Sequence, residues 1–395
     1  MTDRAVILGA GVAGLTTAIA LARGGATVDV LERDRAQAPF GRRSAATWVR
    51  DGAPQVQHAH VFGTDFHRLL ASELPDVLSL LLAAGAHEFP DSSRAGHGPT
   101  VALRRPLLDW VLRRVAEREP GVQVHCGTPA TGLRTDGSLL TGVLVQGGAL
   151  AADLAVDATG SRTRAAGWLA DLGYSCAHPP LADPPPATTY FSRCYSLRWS
   201  GQSGVVDFGV AAGGGFDGYL CRAVPGDNDT FTVTFGVRDS ASDPAGVPSA
   251  LRMPEGFQAA AEHVPSISDW VDPRAADPLT GVAVLQDWPP ATGAGLPELA
   301  SLPGLVAVGD ARGMPDPIAG NGVALAMAQG LACASAIIAG GLDSPVDLER
   351  LVAAAGAPLV ELELPAPRRR PLSGPNVREL ARIAGSVGRV ARVSA

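Results

Sequence analysis

Three glycines near the N-terminus, Gly9, Gly11 and Gly14, stand in the spacing G-x-G-x-x-G, and Glu32 follows eighteen positions after the third. That combination suits dinucleotide binding. The first glycine permits a tight turn, the second lets a pyrophosphate approach the backbone, and the third lets a helix pack closely on a strand. The diphosphate then rests on free N–H groups at the positive end of that helix. Glu32 lies where an acid can accept hydrogen bonds from an adenosine ribose. Val12, Ala13 and Arg33 are candidates by position beside these groups. The spacing alone leaves NAD and FAD both open.

A second constellation lies some 300 residues later, in "VGDARGMPDPIAGNGVALAMAQG". An apolar strand ends in Gly309-Asp310. Pro317 and the turn Gly320-Asn321-Gly322 follow, and an alanine-rich helix starts near Val323. Between the two constellations, His58 and His60 alternate after a Gly-Ala-Pro-Gln turn and would share a face on a strand. They could begin a metal site, but no third ligand lies at a useful spacing, so no metal is expected. A buried strand ends in Asp157-Ala-Thr-Gly160 and leads into Ser161-Arg162-Thr163-Arg164. Arg104 and Arg105 precede Pro106, a favourable first helical position. They read as a solvated pair, or one of them faces a phosphate.

Several elements must position these groups. Residues 5–8 form a continuous apolar run, as in a strand covered on both faces. A helix runs to about Arg23, Gly24-Gly25 end it, and a second strand occupies residues 27–31. Residues 66–82 read as helix broken at Pro75, and residues 101–117 as a short strand feeding an amphipathic helix. From Val122 the pattern is β-rich, with a turn at Thr135-Asp136-Gly137. The proline-rich stretch 179–186 marks a boundary. Residues 189–237 then alternate with period two, as in an antiparallel sheet of about four strands. Residues 243–274 read as helical. The last fifty or so residues are helical too, with Arg368, Arg369 and Arg370 on a solvated face.

The 395 residues are 46% hydrophobic and 18% charged, which supplies a large core for two or three units. The net charge of −7 argues against a nucleic-acid surface. All 32 basic residues are arginine, so lysine-dependent chemistry is excluded. Five dispersed cysteines form no C-x-x-C pair and suit a reducing cytoplasm. No leader pattern or membrane-spanning run is read, and the longest apolar helix, 323–339, carries Gln329 and Gly330.

Taken together, the chain resembles the flavoprotein monooxygenase family typified by p-hydroxybenzoate hydroxylase. The resemblance rests on Gly9–Gly14 with Glu32, on Asp157 to Arg164, and on Gly309-Asp310 with Pro317 and Gly320-Asn321-Gly322. "GAPQVQHAHVF" and "YFSRCYSLRW" look like a bacterial branch of polyketide hydroxylases and epoxidases. It implies an α/β fold: a Rossmann-like FAD-binding domain of glutathione-reductase type, an inserted, mainly antiparallel β-sheet substrate domain, and a C-terminal helical segment. The FAD domain is expected over 1–75, 98–185 and 285–345, the substrate domain over 76–97 and 186–284, and the helical segment over 346–395.

The resemblance also implies FAD as the bound cofactor. It assigns Asp310 to the ribityl chain, and Gly320, Asn321, Gly322 and Val323 to the edge of the flavin ring. Arg105 falls near the flavin phosphates, and Arg50 and Gly52 along the ring. Asp157 and Gly160 belong to a motif linked to NAD(P)H handling, whose usual Asp-Gly opening is absent here. Electrons would come from NAD(P)H or from a reductase partner delivering reduced flavin. O2 would be the co-substrate, and a flavin C4a-hydroperoxide would pass one oxygen atom to a small, largely apolar organic molecule, a secondary metabolite. Hydroxylation or epoxidation is expected, and Baeyer–Villiger oxidation uses a related oxygen transfer that the sequence does not separate from them. His58, His60, Tyr190 and Arg193 are the candidate catalytic residues, with Tyr195 and Tyr219 beside them in the roof. Flavin-dependent halogenases share the scaffold but use a lysine and a tryptophan-rich motif, which this chain lacks. Two other readings compete: a reductase or dehydrogenase of the geranylgeranyl reductase type, and a non-enzymatic dinucleotide-binding protein.

Overall fold

The computed structural model describes residues 4–35, 37–39, 41, 48–90, 98–174, 188–199, 211–238, 247–288, 302–313, 320–340 and 372–393. Pro317, the proline-rich stretch 179–186, the arginines at 368–370 and most of the strand expected near residue 205 lie outside the described residues.

The N-terminal apolar run is the middle strand of a five-stranded sheet, in the order Leu305–Ala307, Leu154–Asp157, Arg4–Leu8, Thr27–Glu32, Val122–Cys126. All four pairings are parallel. Both faces are covered, which is why the run does not alternate in polarity. Ala5 and Ile7 face a layer of helices, whereas Val6 and Leu8 face the antiparallel meander Ala130–Thr135, Leu140–Val145, Gly148–Ala151 and the helix Ala165–Asp171. The helical layer holds Val12–Arg23, Thr64–Glu73, Pro75–Ala83, Arg105–Arg118 and Gly322–Ile338. Val77, Leu78 and Leu81 belong to this core. The helix that begins at Pro75 thus sets its buried face into the same core as the parallel sheet.

The second sheet is antiparallel and has six strands among the described residues, two more than the sequence pattern suggested. Thr188–Leu197 pairs Thr230–Arg238 on one side, followed by Tyr219–Pro225 and Ala212–Gly215. On its other side lie Ala276–Pro278 and Ala283–Trp288. Ala276–Pro278 is only three residues long, and Ala283–Trp288 shows no clear polar–apolar alternation that would announce it. One face is aromatic: Phe191, Tyr195, Phe231 and Phe235 pack with Phe257 and Trp270, and Leu380 and Ala384 of the helix Val377–Val393 close the cluster. The C-terminal helix is thus part of the sheet domain's own core.

The two halves meet at a built seam. Asp227, in the hairpin turn before Thr230, accepts bonds from Arg104: 2.9 Å from the backbone N–H, 3.1 Å from Nε, and 2.9 Å from Nη2. Asn228 sits in the left-handed region at φ 51° and donates from Nδ2 to the Ala84 carbonyl at 3.0 Å, while its N–H donates to that of Gly85 at 2.9 Å. Arg104 and Arg105 are not a solvated pair. Arg105 is buried and Arg104 half-buried, and each has a carboxylate.

Candidate functional site

At the C-terminal end of the parallel sheet, the first strand lies between the second strand and the Leu154–Asp157 strand, the point where strand order reverses and ligands bind in such folds. A cavity of about 420 Å³ opens there. Gly9, Gly11, Val12, Ala13, Glu32 and Arg33 line it from the first junction, and Val308, Gly309, Asp310, Gly320, Gly322 and Val323 from the second. Arg50, Gly52, His58, His60, Arg105 and Gly160 line it as well. The sheet domain covers it with Tyr190, Leu220, Arg222, Val224, Thr234 and Leu285.

The first junction has the shape that a diphosphate needs. Gly9 adopts φ +103°, and a Cβ there would meet the Ala158 carbonyl oxygen at 2.6 Å. Gly11 is different: a Cβ would meet nothing within 4 Å, so its backbone faces open space. Gly14 does not line the cavity. A side chain on it would collide with the Gly9 carbonyl, so it is needed for helix-on-strand packing. The helix Val12–Arg23 has no side-chain cap and no acid in its first turn. The helix Gly322–Ile338 starts in the same way, with Asn321 at its N-cap. Two uncapped positive helix ends therefore point at one cavity. Asn321 itself is not among the lining residues.

Glu32 is held in place. Its Oε2 accepts from the Ala10 N–H at 3.1 Å and Oε1 from the Asp34 N–H at 3.0 Å. Arg50 bridges Glu32 at 2.7 Å and Asp109 at 2.9 Å, and Arg105 reaches Asp109 at 2.9 Å. Four buried charges thus alternate in sign and cancel. Burial opposes ionisation of Asp109, but Arg105 and Arg50 outweigh it and hold that carboxyl below its ordinary range. Gly52 is fixed by Asp34, which accepts its N–H at 2.9 Å, and by Arg33, which donates to its carbonyl at 2.9 Å. Asp109 had no signal in the sequence beyond its i+4 spacing from Arg105.

His58 and His60 follow a short 3₁₀ turn, Pro54–Gln57, rather than forming a strand. His58 Nδ1 lies 2.7 Å from Ser192 Oγ, which lies 2.7 Å from Thr234 Oγ1, so the loop is tied to the roof. Burial pushes His58 down to about 4. His60 is pushed down to about 3, by burial first and by Arg105 second. His60 Nδ1–H donates to the His58 carbonyl at 2.9 Å, which turns its unprotonated Nε2 towards Arg105. Both rings are neutral at pH 7. Among the described residues, no cluster of three or more His, Cys, Asp or Glu side chains could hold a metal ion. No described helix is long and apolar enough to cross a membrane.

The roof sorts the remaining candidates by parity. Tyr190 lines the cavity, with its ring lying over Gly236, where a Cβ would meet Cε1 at 3.0 Å. Arg193 is on the opposite face. Its Nε donates to the Thr280 carbonyl at 3.0 Å and its guanidinium lies over the Tyr195 ring at 5.7 Å. Tyr195 and Tyr219 are in the aromatic core of that face. Arg222, which the sequence reading did not single out, faces the cavity; burial lowers its pKa and the nearby Tyr190 counteracts this.

Asp157 is also turned away from the cavity. It is fully buried, accepts from the Thr159 N–H at 3.0 Å and Oγ1 at 2.6 Å, and accepts from the Thr163 hydroxyl. It shapes the turn, while Ala158, Thr159, Gly160, Arg162 and Arg164 present that turn to the cavity. Asp310 lines the cavity, and burial raises its pKa against the pull of Arg105.

Comparison with known proteins agrees with this architecture. Residues 3–167 match the pyridine nucleotide-disulphide oxidoreductase family model. A curated relative, Protein Rv3254 of Mycobacterium tuberculosis, is 29% identical over 276 residues, covering 61% of this chain and 55% of the relative. The chain thus spans about half the length of that relative. PqsL, a probable FAD-dependent monooxygenase from Pseudomonas aeruginosa, superposes with a TM-score of 0.62 at 15% identity, over 91% of this chain and 92% of PqsL. PqsL has also been solved in complex with 2-aminobenzoylacetate. The flavin-dependent brominase Bmp2 gives a TM-score of 0.58 at 17% identity, over 97% of this chain and 93% of Bmp2. Such identities speak for the fold, and the chain takes the fold of the FAD-dependent monooxygenases and flavin-dependent halogenases, with a pyridine nucleotide-disulphide oxidoreductase match over its N-terminal residues.

Proposed function

We propose that this protein is an FAD-dependent monooxygenase that adds one oxygen atom from O2 to a small, largely apolar organic molecule of secondary metabolism. The observation that carries the reading is the convergence of two strand–turn–helix junctions on one cavity beneath an antiparallel sheet. One nucleotide loop would account for any dinucleotide. The second junction supplies a half-buried carboxylate, Asp310, and a second helix N-terminus, and a flavin has a ribityl chain and a ring to meet them.

FAD, when bound, supplies electron transfer and oxygen activation, which protein side chains cannot. In this reading Gly9 and Gly11 take the diphosphate, Glu32 the adenosine ribose, Asp310 the ribityl chain, and Gly320, Gly322 and Val323 the ring. With no lysine in the chain, the start of the helix Gly322–Ile338 is the group that steadies negative charge on the ring, since a helix end carries about half a positive charge. The roof excludes water with Leu220, Val224 and Leu285, and Tyr190, Arg222 and Thr234 give it polar points that orient a substrate. His58, neutral and bonded to Ser192, holds its loop to that roof. NAD(P)H or a separate reductase provides electrons, and the protein works in the cytoplasm.

The test is direct. The purified protein is titrated with FAD, and its absorbance spectrum and flavin fluorescence are recorded. It is then reduced and mixed with ¹⁸O2 and a panel of apolar aromatic and polyketide-like compounds. Stoichiometric flavin binding and one labelled oxygen atom in the product are expected. A protein that cannot be reconstituted with FAD would end this reading. Equal turnover without oxygen would make it a reductase instead.

A further inference from the structure

We infer that Gln329 is a positioning residue that fixes the Asp310 turn relative to the start of the helix Gly322–Ile338. The inference rests on the FAD reading of the cavity and adds a residue to it. Gln329 does not line the cavity. It lies two turns inside the helix, is 6% exposed, and its Oε1 accepts the Gly309 N–H at 2.8 Å. Gly309 is in the left-handed region at φ +64° and opens the 3₁₀ turn that carries Asp310. A turn residue held at positive φ needs a partner for its buried N–H, and here that partner comes from a side chain on the helix.

The same helix presents Gly322 and Val323 to the cavity from its first turn. One hydrogen bond therefore sets the relation between the two groups the second junction offers, the carboxylate and the helix end. The next residue shows why the helix can come so close. A Cβ on Gly330 would meet Thr17 Oγ1 at 2.7 Å and the Ala13 carbonyl at 3.0 Å. A Cβ on Gly309 would meet Ala13 Cβ at 3.0 Å. Ala13 belongs to the first junction and lines the cavity. Gln329 and Gly330 thus key the second junction onto the first.

Two substitutions separate positioning from bulk. Gln329→Met keeps the volume and removes the acceptor, and Gln329→Glu keeps an acceptor oxygen. An unpartnered buried N–H is expected to let the turn relax, so Gln329→Met should weaken FAD binding by roughly tenfold, the equivalent of about 1.4 kcal/mol. The visible bands of its bound flavin should also move. Gln329→Glu should recover most of the affinity and the wild-type spectrum. A structural role alone would lower the melting temperature of both variants and leave dissociation constant and spectrum unchanged, and that result would overturn the inference. Should Gln329→Met not fold, amide exchange in the ligand-free wild-type protein decides: Gly309 should be strongly protected, and rapid exchange there refutes the hydrogen bond's role. A wild-type chain that binds no FAD would instead sink the functional reading.

Discussion

At the scale of single residues, the first junction separates two kinds of glycine. Gly14→Ala should damage the fold, because its Cβ would enter the Gly9 carbonyl and backbone cannot step aside. A loss of roughly 2–4 kcal/mol in unfolding free energy is expected, seen in urea melts. Gly11→Val should leave the melt of the ligand-free chain almost unchanged, since φ is −84° and the space is open, but should abolish FAD binding. Loss of stability in both, or binding in Gly11→Val, contradicts the division of roles. His58 makes a pH prediction. Its folded pKa of about 4 lies below the unfolded value of 6.5, so the unfolded chain binds the proton first as pH falls. Stability from this residue is complete above about pH 6.5 and declines towards pH 4. Between 6.5 and 5 the loss is on the order of 2 kcal/mol, being 1.5 pH units at about 1.4 kcal/mol each. Thermal melts at pH 7 and pH 5 should show the fall, to which the more strongly depressed His60 adds its own share, and His58→Gln should make it shallower by about that 2 kcal/mol. An identical acid limb in that variant would refute the assignment.

At the scale of elements, parity along the strand Thr188–Leu197 decides which side chains face the cavity. Tyr190 and Ser192 face the loop and cavity, whereas Phe191, Arg193 and Tyr195 face the helices. Tyr190→Phe and Arg222→Ala should raise KM or change substrate preference by roughly tenfold, the scale of one polar contact, with little change in melting. Arg193→Ala should do the reverse, lowering stability by about 1–2 kcal/mol through its lost bonds to two carbonyls and leaving KM alone. Steady-state kinetics beside thermal melts would test this, and a KM change in Arg193→Ala alone would contradict it. The alternation was legible in the sequence, yet Tyr190 and Arg193 were both expected at the site although their odd spacing sets them on opposite faces. Which face is wet was not legible, because both are flanked by apolar residues and the covering helix comes from residues after 372. The nucleotide loop was legible for another reason: Gly9, Gly11, Gly14 and Glu32 lie within one local unit, whose geometry follows from backbone sterics. Asp157 looked like a ligand by position, yet Thr159 and Thr163, two and six residues on, claim its carboxylate. The charge chain Glu32–Arg50–Asp109–Arg105 joins segments up to 77 residues apart, and no local pattern reports such pairing.

At the scale of the molecule, the halves built on the two larger sheets line one cavity, and the seam between them is ionic. Arg104 and Arg105 are neighbours with opposite duties: Arg105 faces the cavity, and Arg104 holds the roof through Asp227. Burial opposes ionisation of Asp227, but Arg104 and its hydrogen-bond donors keep the carboxyl below its ordinary range, so the pair is charged at neutral pH. Replacing a buried pair with apolar groups is often neutral, whereas removing one partner strands a charge and costs about 3–5 kcal/mol. Asp227→Ala should therefore remove the carboxylate that Arg104 pairs with, lower the melting temperature, and split calorimetric unfolding into two transitions as the halves lose coupling. Arg104→Met combined with Asp227→Leu should recover much of the stability, with a coupling energy of several kcal/mol in the double-mutant cycle. The helix Pro75–Ala83 gives the seam a second contact, where Gly85 at φ +107° leaves room for Asn228 and a Cβ would collide with its side chain. Gly85→Ala should thus reproduce part of the Asp227→Ala phenotype although it carries no charge. If the seam also sets how the roof sits over the cavity, Asp227→Ala should raise KM for substrate more than it weakens FAD binding, because the roof side chains belong to the detached half. A single sharp transition at the wild-type temperature would show instead that the two halves are held together by contacts other than this pair.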